Sequence, residues 1–249
     1  MGITRTDANG AFHNNFQFFV LFLPGMRYPM RLSDVKARLN PGLYEVLEKK
    51  GLDELRPCQN KAIDAGLLDG RNILVCSPTA SGKTLVAEIA MLQAILNRKG
   101  KAIYIVPLKA LATEKYREFS RRYGHLIKIA VSIGDTDSAD GYLSKYDLVI
   151  TTSEKLDSLI RHHTPFLDEV FCVVVDEIHL LNDSGRGPTL EIVITILRML
   201  LKRIQMISLS ATVGNEKELA GWLQSELVHD TWRPVKLHEG VMSDNIVEF

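Results

Sequence analysis

Apolar and polar positions along the chain follow a repeating rhythm. Short, nearly continuous apolar runs occupy Asn72–Cys76, Lys101–Val106, Ile127–Ile133, Leu148–Thr151, Val170–Val175 and Met206–Leu209. Between them lie stretches in which apolar residues recur at helical spacing, at Leu85–Ala90, Leu108–Tyr123, Glu154–Arg161, Thr189–Arg203 and Glu216–Leu223. Ahead of the first run, Leu32–Gly51 reads as helical with a break at Pro41-Gly42, and a helix starts in Leu55–Ile63 and ends near Asp69-Gly70. The run at Val170–Val175 is almost entirely β-branched, as expected of a central parallel strand covered on both faces. Strand and helix in strict alternation predict an α/β fold: an open, doubly wound, mostly parallel sheet with helices on both faces. In such a sheet a ligand sits at the carboxyl ends of the strands.

Residues 1–30 break the rhythm. Phe16–Leu23 is a short apolar burst closed by Pro24-Gly25, far below the ~20 apolar residues of a membrane helix. Its flanks do not fit a secretory signal. Met26 and Met30 are alternative starts, so this stretch is expected to be an extension of cloning or gene-start origin. The folded unit is expected over 31–234.

Composition narrows the picture without deciding it. Of 249 residues, 46% are apolar and 24% charged, and the formal net charge is zero. No global basic field announces nucleic acid, so any such binding must come from a local patch. Cys58, Cys76 and Cys172 are scattered, which argues against a zinc site or disulfide framework and fits a reducing, cytoplasmic setting. The adjacent His162 and His163 read as solvated surface.

The candidate chemistry begins at Ser77-Pro78-Thr79-Ala80-Ser81-Gly82-Lys83-Thr84, between an apolar run and a helix. Strand, small-residue loop, Gly-Lys-Thr and helix form the context of a phosphate-binding P-loop. Loop N–H groups and the positive helix end would cradle phosphate oxygens. Lys83 would reach the β- and γ-phosphates of ATP, and the Thr84 hydroxyl would join a Mg²⁺ shell. Ser77 stands where the pattern has its first glycine. A second cluster, Asp176-Glu177-Ile178-His179, follows the Val173–Val175 strand. There Asp176 would hold Mg²⁺ through water opposite Thr84, and Glu177 would polarise an attacking water as general base.

With these motifs in order the chain resembles the superfamily 2 helicases of the DExH branch. It is most similar to the Ski-type group, which includes archaeal repair helicases. The resemblance runs from about Leu55 to Val241 and implies a RecA-like P-loop NTPase lobe. It implies adenine recognition by Gln59 in Arg56-Pro57-Cys58-Gln59, and catalytic roles for Lys83, Asp176, Glu177 and His179. Pro107-Leu108-Lys109-Ala110-Leu111-Ala112, with Lys115, and Thr151-Thr152-Ser153-Glu154-Lys155 match motifs that lie along a nucleic-acid backbone. Ser210-Ala211-Thr212 matches the motif that links ATP state to strand contact, and Arg186–Glu191 resembles the segment after the acidic motif.

The residues support part of this without the family. Lys109, Thr113, Thr151, Thr152 and Ser153 stand just after strands, where hydroxyls, loop N–H groups and helix N-termini grip phosphates. Each alone also fits a local role, and Thr152 or Ser153 before Glu154-Lys155 would make a good N-cap. Ser210 and Thr212 would alternatively satisfy backbone groups at a strand end. Arg117, Arg121 and Arg122 read as a solvated helix face, and Trp222 and Trp232 as packing anchors.

In the family a second lobe brings the arginine finger, and nothing up to Phe249 supplies it. The chain is therefore expected to be lobe one of a larger motor, with 235–249 starting the connection. The expected partners are single-stranded or forked nucleic acid, with DNA favoured over RNA, and the absent second lobe. No membrane is expected, and a monomer is the default. The alternative function is a nucleotide-gated binding or remodelling module that does not separate strands.

Overall fold

The computed structural model describes residues 30–134, 140–235, 241–243 and 246–248. In chain order it contains α1 (Pro41–Lys49), α2 (Pro57–Asp64), β1 (Ile73–Cys76), α3 (Lys83–Leu96), β2 (Lys101–Val106), α4 (Lys109–Tyr123) and β3 (Ile129–Ser132). There follow β4 (Leu148–Thr152), α5 (Ser153–Arg161), β5 (Val170–Val175), α6 (Gly187–Leu200), β6 (Gln205–Ser210), α7 (Glu216–Leu223) and β7 (Glu226–His229). Two further short strands, β8 (Val241–Ser243) and β9 (Ile246–Glu248), pair antiparallel with each other. The Phe16–Leu23 burst lies outside the described residues.

Seven strands form one sheet in the order β3-β4-β2-β5-β6-β1-β7, and every pairing in it is parallel. The side-chain period of two sends β1 residues to opposite cores. Ile73 and Val75 join α1, α2, α3 and α4 on one face, while Leu74 and Cys76 join α5, α6 and α7 on the other. Burial on both faces is why the inner strands need β-branched runs rather than alternation. Burial also pushes the Cys76 thiol up to about 11, with the Glu216 carboxylate a smaller contribution, so this cysteine is an inert core residue.

Three details depart from the sequence reading. The Leu32–Gly51 stretch is interrupted as expected, but its first part is a 3₁₀ turn over Leu32–Arg38 and the break precedes Pro41, which opens α1. Pro41 can only begin a helix, and Asn40 caps it by accepting from the Gly42 N–H at 3.0 Å. The edge strand β7 has no apolar run to announce it: Glu226 and His229 are exposed and only Val228 is buried. Arg122 is not on a solvated face. Its guanidinium reaches Glu88 Oε1 of α3 at 2.9 Å, and the Glu88 side chain is only 3% exposed. No helix among the described residues is long and apolar enough to cross a membrane.

Candidate functional site

The strand register brings the predicted motifs to one rim. Cys76, the last residue of β1, pairs with Ser210 of β6, and Val175 of β5 pairs with Ser208. The loops that follow β1, β5 and β6 therefore leave the sheet side by side, and the Ser77 N–H donates to the Ser210 carbonyl at 3.2 Å.

The P-loop is held by its own neighbours. The Ser77 and Ser81 hydroxyls bond at 2.7 Å. Ala80 and Gly82 take positive φ, at 63° and 96°, which turns the loop around its own N–H groups. A Cβ on Gly82 would lie 2.6 Å from Gln59 Nε2 and 2.9 Å from Arg56 Cδ, so this position needs glycine for space as well as for backbone. Lys83, 7% exposed, lies 3.5 Å from the Ser77 carbonyl. Thr84 follows at the first turn of α3. Lys83, Thr84, Asp176 and Glu177 share one open cleft of about 490 Å³ with Thr79, Ala80, Gly82, Arg56, Lys115 and Pro234.

Gln59 stands behind the loop. It is 2% exposed, its Oε1 accepts from the Arg56 N–H at 2.8 Å, and its Nε2 donates to the Gly82 carbonyl at 3.0 Å. Its amide braces the P-loop from behind.

At the acidic end, the Tyr104 hydroxyl donates to Asp176 Oδ2 at 2.8 Å and the Glu177 N–H to Asp176 Oδ1 at 3.0 Å. Burial, together with the Asp176 carboxylate, holds the Tyr104 hydroxyl well above its usual value, so it remains a donor. Sequence reasoning missed Tyr104. The signal was a lone hydroxyl inside the Lys101–Val106 apolar run, which must find a partner when buried. Glu177 adopts φ 52°, a left-handed backbone that costs a residue with a Cβ about 1–2 kcal/mol. Strain of this kind at a strand end is a feature of functional turns.

His179 Nδ1 lies 3.4 Å from Glu177 Oε2, and the Ala211 N–H donates to the same nitrogen at 3.4 Å. One nitrogen cannot serve both partners at once. With its lone pair free it accepts from Ala211, and in the tautomer that carries the hydrogen there it faces Glu177. The segment after β6 is thereby linked to the carboxylate turn. The Ser210 hydroxyl is buried with no hydrogen-bond partner among the described residues, so it does not satisfy a strand-end backbone group, and Thr212 is exposed.

The rim assigned to nucleic acid is mixed. Pro107 and Ser153 share a small recess with Asp176, Glu177 and Arg186, and Lys109 is exposed. The threonine hydroxyls bond to local backbone, the local role that each alone also fits. Thr151 is fully buried and its hydroxyl donates to the Ser132 carbonyl at 2.7 Å. Thr152 caps α5 by accepting from the Lys155 N–H at 3.5 Å, and the Thr113 hydroxyl donates to the Lys109 carbonyl at 3.2 Å. These hydroxyls satisfy local backbone; Ser153 is buried at the start of α5 and Lys109 is exposed at the start of α4.

The DEAD/DEAH box helicase family matches residues 56–219. The ATP-dependent DNA helicase Hel308 of Pyrococcus abyssi is 51% identical over 207 residues, covering 82% of this chain and 28% of that protein. Its Methanocaldococcus jannaschii counterpart is 52% identical over 216 residues, covering 83% and 18%. Among solved structures, the DUF1998 helicase MrfA bound to DNA superposes with a TM-score of 0.67 at 30% identity, covering 82% of this chain and 30% of that one. The chain spans less than a third of the length of these relatives. A P-loop, an acidic turn and a Ser-Ala-Thr segment on one rim, matched over two thirds of the sequence, establish that the chain belongs to the DEAD/DEAH box helicase family.

Proposed function

We propose that residues 31–234 form the ATP-binding first lobe of a DNA helicase, with 235–249 leading toward a second lobe. The observation that carries this reading is the convergence of Lys83, Thr84, Asp176 and Glu177 on one cleft, with His179 joining that cleft to Ala211. The names of the relatives support DNA over RNA, and a cytoplasmic, membrane-free setting agrees with the three buried free cysteines.

The residues present fit ATP with Mg²⁺. The Thr84 hydroxyl and the Asp176 carboxylate, which line the same cleft, would hold the ion. Bound there, Mg²⁺ would neutralise charge on the phosphates. The P-loop amides and Lys83 bind and orient the triphosphate. Asp176, fixed on both oxygens by the Tyr104 hydroxyl and the Glu177 N–H, would offer its carboxylate to the ion. Glu177 accepts a proton at its carboxylate from the attacking water. Lys109, Ser153 and the N-terminus of α5 contact the phosphate backbone of the strand, and Ser210–Thr212 reports strand contact to the carboxylate turn through His179.

An arginine finger contributes about 10³–10⁵ in rate in P-loop NTPases. The second lobe would bring it, so hydrolysis by this chain alone is slow. The test is ATP turnover by the chain with and without single-stranded DNA, beside Glu177→Gln. Turnover near background in every case supports a lobe that needs its partner. Fast, DNA-stimulated turnover lost in Glu177→Gln would show a complete motor instead.

A further inference from the structure

Lys155 closes the Thr151–Lys155 motif, yet its charge is spent inside the protein. Its side chain is 4% exposed, and Nζ lies 2.9 Å from Oδ2 of Asp140. Both partners break a local rule to meet there. Lys155 is the third residue of α5, where a cation opposes the positive end of the helix dipole. Asp140 takes φ 36° and ψ 49°, a left-handed backbone that a residue with a Cβ resists. Burying the pair gives no general gain in stability, because apolar side chains of similar volume hold a core as well or better. Broken local rules that coincide in one contact point to a demand set by function.

The surroundings show what the contact holds. The Ser132 hydroxyl, at the end of β3, donates to the same Asp140 oxygen at 3.1 Å. The Lys155 N–H donates to the Thr152 hydroxyl that caps α5. The exit of β3 and the first turn of α5 are therefore fastened together through one carboxylate. Ser153, which opens α5, lines a recess with Asp176 and Glu177, so the fastened turn also borders the acidic segment.

We infer that Asp140 and Lys155 form a clamp that aims the first turn of α5 at the nucleic-acid strand. Lys155 is a positioning residue and not a phosphate ligand. This rests on the strand contact proposed above and deepens it. An exposed lysine such as Lys109 releases counterions when it meets a phosphate, and so adds to the salt dependence of binding. A neutralised, buried pair releases none. It acts through the direction of the α5 amides, whose hydrogen bonds to phosphate weaken with misalignment at every ionic strength.

The test titrates a labelled single-stranded DNA with the 249-residue chain at several salt concentrations, with a cooperative urea transition as the check of folding. The variants are Lys155→Met, Asp140→Asn, the two combined, and Lys109→Ala. Lys155→Met and Asp140→Asn should each bind DNA about tenfold more weakly at every salt concentration, and the double variant no more weakly than the weaker single. The slope of log affinity against log salt should stay at the wild-type value in all three, while Lys109→Ala lowers it by about 1. Should Lys155→Met not fold, Asp140→Asn, which keeps the shape of the side chain, carries the same test. A slope lowered by about 1 in Lys155→Met would make it a phosphate ligand and overturn the clamp. Unchanged DNA affinity in folded variants, which would leave the pair a packing feature, overturns it too, as do additive losses. A folded wild-type chain that binds no DNA overturns the strand reading itself, and the clamp with it.

Discussion

The two ends of the rim are built on opposite principles. Around the P-loop, polar groups behind the loop are spent on holding it, while Lys83, Thr84 and the carboxylates are turned toward the cleft. Along the strand-facing stretch, the residues that look most like ligands, Thr113, Thr151 and Thr152, are themselves the braces. The first site is formed before its ligand arrives. The second offers helix starts and an exposed lysine, so under the proposed function it would grip a backbone by charge and amides rather than by placed hydroxyls. The physical reason is distance from the sheet. Thr151 and Thr152 are the last residues of an interior strand, and a hydroxyl buried there must bond locally.

The helices that start at these two ends are tied together. Glu88 of α3 meets Arg122 of α4 at 2.9 Å, also accepts from the Tyr123 hydroxyl, and lies 3.6 Å from Lys50. Glu88→Ala would remove the acceptor shared by Arg122, Tyr123 and Lys50; Arg122 keeps Glu118 at 2.6 Å and Lys50 keeps the Tyr123 hydroxyl at 2.7 Å, so the expected cost is about 3 kcal/mol, the low end for opening a buried pair. Urea unfolding should show the largest drop in midpoint here. A change below about 1 kcal/mol would mean the cluster is solvated and the two helices are not welded.

Next in size is Gly82→Ala. Its φ of 96° and the close approach of Gln59 and Arg56 predict at least a tenfold loss of ATP affinity, with a stability cost of about 1–2 kcal/mol for the left-handed backbone. Calorimetric titration checks it, and normal ATP binding would show that the loop is not preformed as described. At the other end, Lys109→Ala should weaken single-stranded DNA binding and lower the salt slope by about 1. Thr151→Val should cost roughly 1 kcal/mol of stability and leave DNA affinity unchanged. A fall in DNA affinity without a fall in stability would return Thr151 to the ligand side and break the contrast.

Much of this was legible in the sequence because the relevant signals are local. Apolar runs and helical spacing yielded six of the seven sheet strands, and the P-loop and Asp-Glu pair are contiguous motifs at strand ends. The missed features are those decided across the sheet. Tyr104 and Asp176 are distant in sequence and meet only because β2 and β5 are neighbours. Arg122 looks like one of three surface arginines until α3 presents Glu88 beneath it. β7 is a strand because β1 has an open edge, not because its own residues demand one. The bond from the Gln59 amide to the Gly82 carbonyl likewise joins separate segments, which no spacing rule reveals.

The smallest expected effect concerns the turn before α6. Asp183 accepts from the Arg186 and Gly185 N–H groups, and these bonds hold its carboxyl below the usual range. A depressed folded value means stability that is present above the unfolded carboxylate value and lost as pH falls through the folded one. Asp183→Asn should flatten that part of the acid limb of an unfolding curve and leave neutral pH almost unaffected. An unchanged acid limb would show that the turn holds without its charge.

The most direct test of the central claim is a calorimetric titration of the chain with MgATP beside Lys83→Ala. A preformed phosphate site predicts saturable, one-to-one binding by the wild type and its loss, by at least a hundredfold, in a variant that unfolds at the same denaturant concentration. Equal binding by both proteins, or none by a folded wild type, would contradict it.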